Sequence, residues 1–159
     1  MAAKHYPQED YSRPPGSIEV VLVRHGASEA AVEGQSFELL EGQADPALSE
    51  AGERQAQAVA ESLAGEPLTG IYITPLRRTA QTAAPLAALT GLQPVVVPEL
   101  REVHLGELDG GAFRIAVRRC DPRIAEVFRQ QRWDVIAGAE TMEGFETRTR
   151  AGLARIVDG

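Results

Sequence analysis

The chain is short of the residues that cross-link a fold, grip nucleic acid or enter a membrane. It holds a single cysteine, Cys120, so no intrachain disulfide can form, which accords with a reducing, cytoplasmic setting. Its histidines are His5, His25 and His104; with no close histidine pair and no Cys-x-x-Cys, they give no zinc or iron pattern, and no metal is expected. Positive charge is also scarce: 16 Lys and Arg against 23 Asp and Glu leave a formal net charge of −7. Nucleic acid and anionic membranes select a basic footprint, so neither is expected as a partner. Aromatic residues make up only 5%, and Trp133 and Phe128 read as packing rather than base-stacking residues. No apolar run approaches the roughly 18 residues of a membrane helix. The opening "MAAKHYPQEDYSRPPGS" lacks the apolar centre of a secretory signal. Its prolines and charges predict a flexible tail over residues 1–17.

Two phosphate-handling patterns are absent as well. The position an arginine would take in a Cys-x5-Arg loop holds Glu126 after Cys120, and there is no Gly-x4-Gly-Lys loop.

What remains describes one soluble globular domain of 159 residues, with 43% hydrophobic and 25% charged residues. Element types alternate along it. "IEVVLV" at 18–23 predicts a short strand buried on both faces. Ser49 is a candidate N-cap for a helix whose Gly52, Ala56, Val59, Ala60 and Leu63 share one face, with Gly65 to end it. "GIYIT" at 70–74 predicts a second strand. A helix then opens at Thr74 and Pro75, kinks or splits at Pro85 and stops at Gly91. "PVVV" at 94–97 gives a third strand, followed by the glycine-bearing loop "LREVHLGELDGGAF". One helix is expected around 113–131. Another is expected around 141–157, with Met142, Phe145, Thr149, Leu153 and Ile156 on one face. The alternation predicts an α/β fold, a three-layer sandwich with a mainly parallel central sheet flanked by helices.

Chemistry concentrates at the ends of these strands, where open α/β sheets carry their sites. The first strand runs into Arg24, His25 and Gly26. Histidine at such a place serves as base, ligand or nucleophile. Arginine offers a planar fork of donors that suits phosphate oxygens. Glycine permits a sharp turn and a close ligand. The second strand ends in "TPLRRTAQTA", with Arg77 and Arg78 at a helix start, where free N–H groups favour anions. After the third strand, Glu102 sits in the glycine-bearing loop, and partial desolvation there would suit it to donate a proton.

Taken together, "VRHGASE", "DPALSEAGERQA", "TPLRRTAQTA", "LREVHLGELDG" and "AGAETMEGFETRTR" resemble, in order, the histidine phosphatase superfamily, in its phosphoglycerate mutase-like branch. The resemblance implies His25 as the nucleophile, Arg24 and Arg78 (not Arg77) as phosphate-binding residues, and Glu102 as acid/base, with Gly106 as the loop glycine. Ser28 and Gly26 are implied as substrate contacts or supports. No cofactor is implied, and the arginines take the electrostatic role of a metal. The chain departs from the pattern twice. Ala31 stands where mutase-like members carry an asparagine. The second histidine of the family, in a His-Gly pair after a late strand, has no counterpart, since His5 lies in the tail and His104 inside the Glu102 loop.

These departures lead to an expectation that residues 18–159 are a histidine phosphatase domain truncated at its C-terminus, with the last strand missing. The expected activity is hydrolysis of a small phosphorylated substrate through a phosphohistidine. Phosphoryl transfer of the mutase type is the alternative, disfavoured by the short segment between Gly110 and Thr141. A non-catalytic phosphate-binding or scaffold protein is another. The oligomeric state stays open, with a homodimer among the alternatives.

Overall fold

The structure, a computed structural model, describes Lys4 and residues 14–158; most of the tail expected at 1–17 lies outside them. Its elements follow the order β1 (Leu39–Leu40), β2 (Gln43–Ala44), α1 (Glu50–Leu63), β3 (Tyr72–Ile73), α2 (Arg77–Thr90), β4 (Val95–Val96), α3 (Ala112–Arg118), α4 (Pro122–Gln130) and α5 (Met142–Val157). The fold is α/β, as expected. The sheet is much smaller than the three-layer sandwich predicted: among the described residues there are two two-stranded sheets. β3 and β4 run parallel, pairing Tyr72 with Val95 and Ile73 with Val96. β1 and β2 form an antiparallel hairpin whose turn residues, Glu41 and Gly42, both have positive φ, the geometry that matches strand twist.

Residues 18–23 join neither sheet, which corrects the buried first strand expected from their composition. β3 pairs with β4 and with no strand from 18–23, so the run has no ladder to enter and its side chains stay in water. Leu22 is 85% exposed. Its apolar residues border a groove against the Ala58, Val59 and Leu63 face of α1.

The helices follow their local chemistry closely. Ser49 caps α1, accepting from Gly52 N, and the small face of Gly52, Ala56 and Ala60 is buried where α1 packs on α2. α2 ends at Gly91, left-handed at φ 74°, and runs unbroken through Pro85, giving up one main-chain bond instead of splitting. Its start differs from expectation. The cap position is Leu76, and the Arg77 N–H donates to the Asp45 carboxylate at 2.6 Å. An anion from the chain itself thus sits on that helix end.

The single helix expected over 113–131 is two. Cys120 has φ 53°, Asp121 caps α4 by accepting from Arg123 N, and Pro122 occupies the first turn. A proline there cannot continue the preceding helix. α5 falls where a helix was expected, capped by Thr141, whose side chain accepts from Gly144 N, but Met142 and Leu153 are exposed and the buried residue is Gly152, packed on Leu100. Two apolar clusters hold the chain together. Ala60, Ile71 and Leu86 join α1, α2 and β3. Leu108, Ala116, Ile124 and Ile136 join α3, α4 and the segments around them.

Candidate active site

The segment after residue 23 is gripped by both packed helices. The Gly26 N–H donates to Thr82 Oγ1 of α2 at 3.1 Å. The Ala27 N–H donates to Gln55 Oε1 of α1 at 2.8 Å, and the Ala27 carbonyl accepts from Ser49 N and Ser49 Oγ. The approach is so close that a Cβ on Gly26 would lie 2.5 Å from Gly52 O, and one on Gly52 would lie 2.0 Å from Ala27 O. Two glycines face to face therefore seat the turn on the first turn of α1.

This clamp fixes His25, which is half-buried. Its Nδ1 lies 2.7 Å from the Gly26 carbonyl. A carbonyl only accepts, so Nδ1 carries the proton and Nε2 keeps its lone pair. Burial lowers the imidazole pKa, the Gly26 bond partly opposes this, and the positive charges of Arg78 and Arg24 lower it further while Glu102 raises it. The charges of Arg24, Arg78 and Glu102 thus all bear on one ring.

Arg78 is 7% exposed and donates from Nη1 to the Ala44 carbonyl at 2.8 Å. Burial lowers its pKa, with Glu102 and Asp45 acting in the opposite sense. Arg77 points elsewhere. It is paired with Glu38 at 2.7 Å on the surface, with Asp45 at 3.7 Å, and the Glu38 bond raises its pKa.

Glu102 is exposed, so the partial desolvation expected of it is not found. Its Oε1 accepts from the following amide, Val103 N, at 2.9 Å, and its carbonyl accepts from Gln43 Nε2 and Arg148 Nη2. Gln43 is buried, and its Oε1 has no partner. Gly106 has φ 56°, and a Cβ there would meet Ala137 O at 2.2 Å. His104 turns inward in the same loop, its Nδ1 accepting from Gly106 N at 3.2 Å.

Two arginines were not singled out from the sequence. Arg114 of α3 donates to Ser28 Oγ at 2.7 Å and to the Glu29 carbonyl at 2.8 Å. It lies over the Phe37 ring, and its charge reaches Arg78. Ser28 is therefore engaged by Arg114. Arg148 of α5 holds the backbone around Glu102. No spacing in the sequence links either arginine to its partners. Arg24, Arg78 and Arg114 have no carboxylate in salt-bridge contact among the described residues, and neither do Arg54 and Arg118, while Arg77, Arg101, Arg119, Arg123, Arg129, Arg132, Arg148, Arg150 and Arg155 each have at least one. In a chain with net charge −7, the unbridged Arg24 and Arg78, whose charges both act on His25, make a local anion-attracting field. Among the described residues no group of His, Cys, Asp and Glu is able to hold a metal ion, and no helix is long and apolar enough to cross a membrane.

The chain is similar in sequence and in fold to known proteins. The chain is 34% identical over 144 residues to phosphoglycerate mutase-like protein 4 of Arabidopsis thaliana, covering 88% of this chain and 60% of that protein. It is 39% identical over 92 residues to a protein of Photorhabdus laumondii named "Probable phosphoglycerate mutase GpmB", covering 58% of this chain and 41% of that one. Among solved structures, a mycobacterial glucosyl-3-phosphoglycerate phosphatase superposes with a TM-score of 0.64 at 32% identity, over 83% of this chain and 60% of that chain. The chain thus spans 41–60% of the length of these relatives. The family model for the histidine phosphatase superfamily (branch 1) matches residues 20–159, a stretch that includes His25, Arg24, Arg78 and Glu102. By that match the chain belongs to the histidine phosphatase superfamily, branch 1.

Proposed function

We propose that the protein is a metal-independent phosphomonoester hydrolase that acts through a phosphohistidine on His25, with a small phosphorylated metabolite, or a broad set of them, as substrate. The observation that supports this most is the pairing of a neutral imidazole with a buried arginine. Nδ1–H is committed to the Gly26 carbonyl, Nε2 is left as the nucleophile, and Arg78 beside it has no carboxylate partner among the described residues. Likeness to a mycobacterial phosphatase also solved with inorganic phosphate, at 30% identity and a TM-score of 0.65, supports the phosphoryl group as the reacting centre.

In this reading His25 Nε2 attacks phosphorus, the N–P bond forms and the P–O ester bond breaks. Glu102 gives its proton to the departing oxygen. Water then attacks the phosphohistidine, Glu102 takes up a proton, the N–P bond breaks and inorganic phosphate leaves. Arg24 and Arg78 hold the non-bridging oxygens and offset the charge that grows on them. Hydrolysis is favoured over mutase-type transfer because Glu102 is exposed and the segment between Gly110 and Thr141 is short, so water reaches the phosphoenzyme.

Rapid quenching with a phosphate ester should trap an acid-labile, alkali-stable phosphoryl group on His25, read by mass spectrometry. His25→Ala should fold, take no label and turn nothing over. Undiminished hydrolysis by His25→Ala would overturn the mechanism, and a wild-type chain that binds phosphate but never becomes labelled would favour the non-catalytic alternative. A screen of phosphorylated metabolites then identifies the substrate.

A further inference from the structure

Arg148 has every guanidinium nitrogen engaged, and all of its bonds converge on one stretch of backbone and one carboxylate. Nη1 donates to the carbonyls of Glu99 and Arg101, both at 2.7 Å. Nη2 donates to the Glu102 carbonyl at 3.0 Å. Nε and Nη2 also grip the two oxygens of Glu140 at 2.6 and 2.7 Å, and the guanidinium stacks over Phe145 with 4.8 Å to the ring centroid. Trp133 packs edge-on against that ring at 5.0 Å and donates from Nε1 to the Glu140 carbonyl. Glu140 is tied back to the loop in turn, its backbone N–H donating to the His104 carbonyl.

The remote helix α5 therefore dictates the path of residues 99–102. Among the described residues the carboxylate of Glu102 is hydrogen-bonded to the amide of Val103 and to no other group, so the position of its carboxyl follows the backbone torsions at 102 and 103. Those torsions are what Arg148 holds. From this geometry we infer that Arg148, oriented by Glu140, is the positioning residue for the acid/base Glu102. It touches neither substrate nor reacting atoms. Its effect falls on proton delivery to the leaving oxygen, a step sensitive to displacements of about 1 Å.

The inference rests on the reading of Glu102 as proton donor, and the two are separable by leaving group. An aryl ester with a stable phenolate, p-nitrophenyl phosphate, needs little protonation to depart. An alkyl ester, glycerol 2-phosphate, needs it fully. We expect Glu102→Gln to lose at least ten times more kcat/KM on the alkyl than on the aryl ester. Arg148→Lys, which keeps the charge but not the fork, should show the same split, with a loss of roughly 10- to 100-fold on the alkyl ester. Glu140→Gln, which leaves Arg148 in place but loosens its anchor, should split in the same direction by less. It serves as the second variant should Arg148→Lys fail to melt cooperatively. Equal losses on both esters in Arg148→Lys and in Glu140→Gln, alongside a split in Glu102→Gln, would overturn the inference alone. No split in Glu102→Gln would overturn the reading of Glu102 and the inference with it.

Discussion

At the scale of the residue, one half-buried histidine is tuned by what surrounds it. Burial and two arginines lower the pKa of His25, so the neutral, nucleophilic ring persists below its ordinary value of about 6.5. The acid limb of kcat/KM, which reports the free enzyme, should fall below that value. Replacing Arg78 by Met removes a positive charge that disfavours the imidazolium. The pKa of His25 then rises, the acid limb moves to higher pH, and turnover drops by about 100- to 1,000-fold through loss of the phosphate donor. Arg77→Ala should leave the limb where it is and change kcat/KM by a few-fold at most, because its closest partner, Glu38, is a surface carboxylate. A pH–rate series on the two variants distinguishes these outcomes, and a shifted limb in Arg77→Ala would reverse the assignment.

At the scale of the element, Gly52 presents a competition that magnitudes decide. Alanine inside a helix gains about 1 kcal/mol of propensity over glycine. The added Cβ at Gly52 would stand 2.0 Å from Ala27 O, a backbone atom that cannot step aside. Overpacking of this kind costs about 1–3 kcal/mol or more, so Gly52→Ala should lower the melting temperature. Thr82→Val should do likewise, since it strands the buried Gly26 N–H, at about 1–3 kcal/mol. Thermal unfolding followed by circular dichroism measures both.

Helices were legible where a local rule governs them, as at the Ser49 cap and the Gly91 stop. Asp121-Pro122 was an available break signal that the longer periodic pattern obscured. The β1–β2 hairpin was missed because its turn is Glu41-Gly42, with a glutamate at positive φ where Asn, Asp or Gly would signal the turn. The start of α2 was not legible, because its capping carboxylate, Asp45, lies 32 residues away. The same holds at the candidate site. Arg24, His25, Arg78 and Glu102 stand out as motif residues, whereas Arg114 and Arg148 act through contacts 86 and 46 residues distant, which no local pattern encodes.

At the scale of the whole molecule, the described surface carries a band of apolar side chains. Ile18, Val20, Val21, Leu22 and Val23 are exposed, as are Val95 and Val96 of β4. Apolar, β-prone segments in water invite association. The 159-residue chain should therefore bind a hydrophobic dye and self-associate at high concentration. Leu22→Lys should reduce both without lowering the melting temperature, because Leu22 is 85% exposed and contributes little burial to the folded state. Dye fluorescence and light scattering test this, and an unchanged signal in Leu22→Lys would place the sticky surface elsewhere.

The clamp around His25 also sets an order in time. A ribosome releases His25 early, yet the groups that hold its neighbours come from residues 28, 56 and 86 positions further along the chain. The nucleophile is born first and housed last: α1 must form, then α2, then α3, before the turn at Gly26–Ser28 has all its partners. Long-range closures of this kind are slow compared with helix growth. Catalytic competence should accordingly lag the recovery of helical signal during refolding. Nascent chains halted before Arg114 has emerged should hold a histidine that no substrate can yet use.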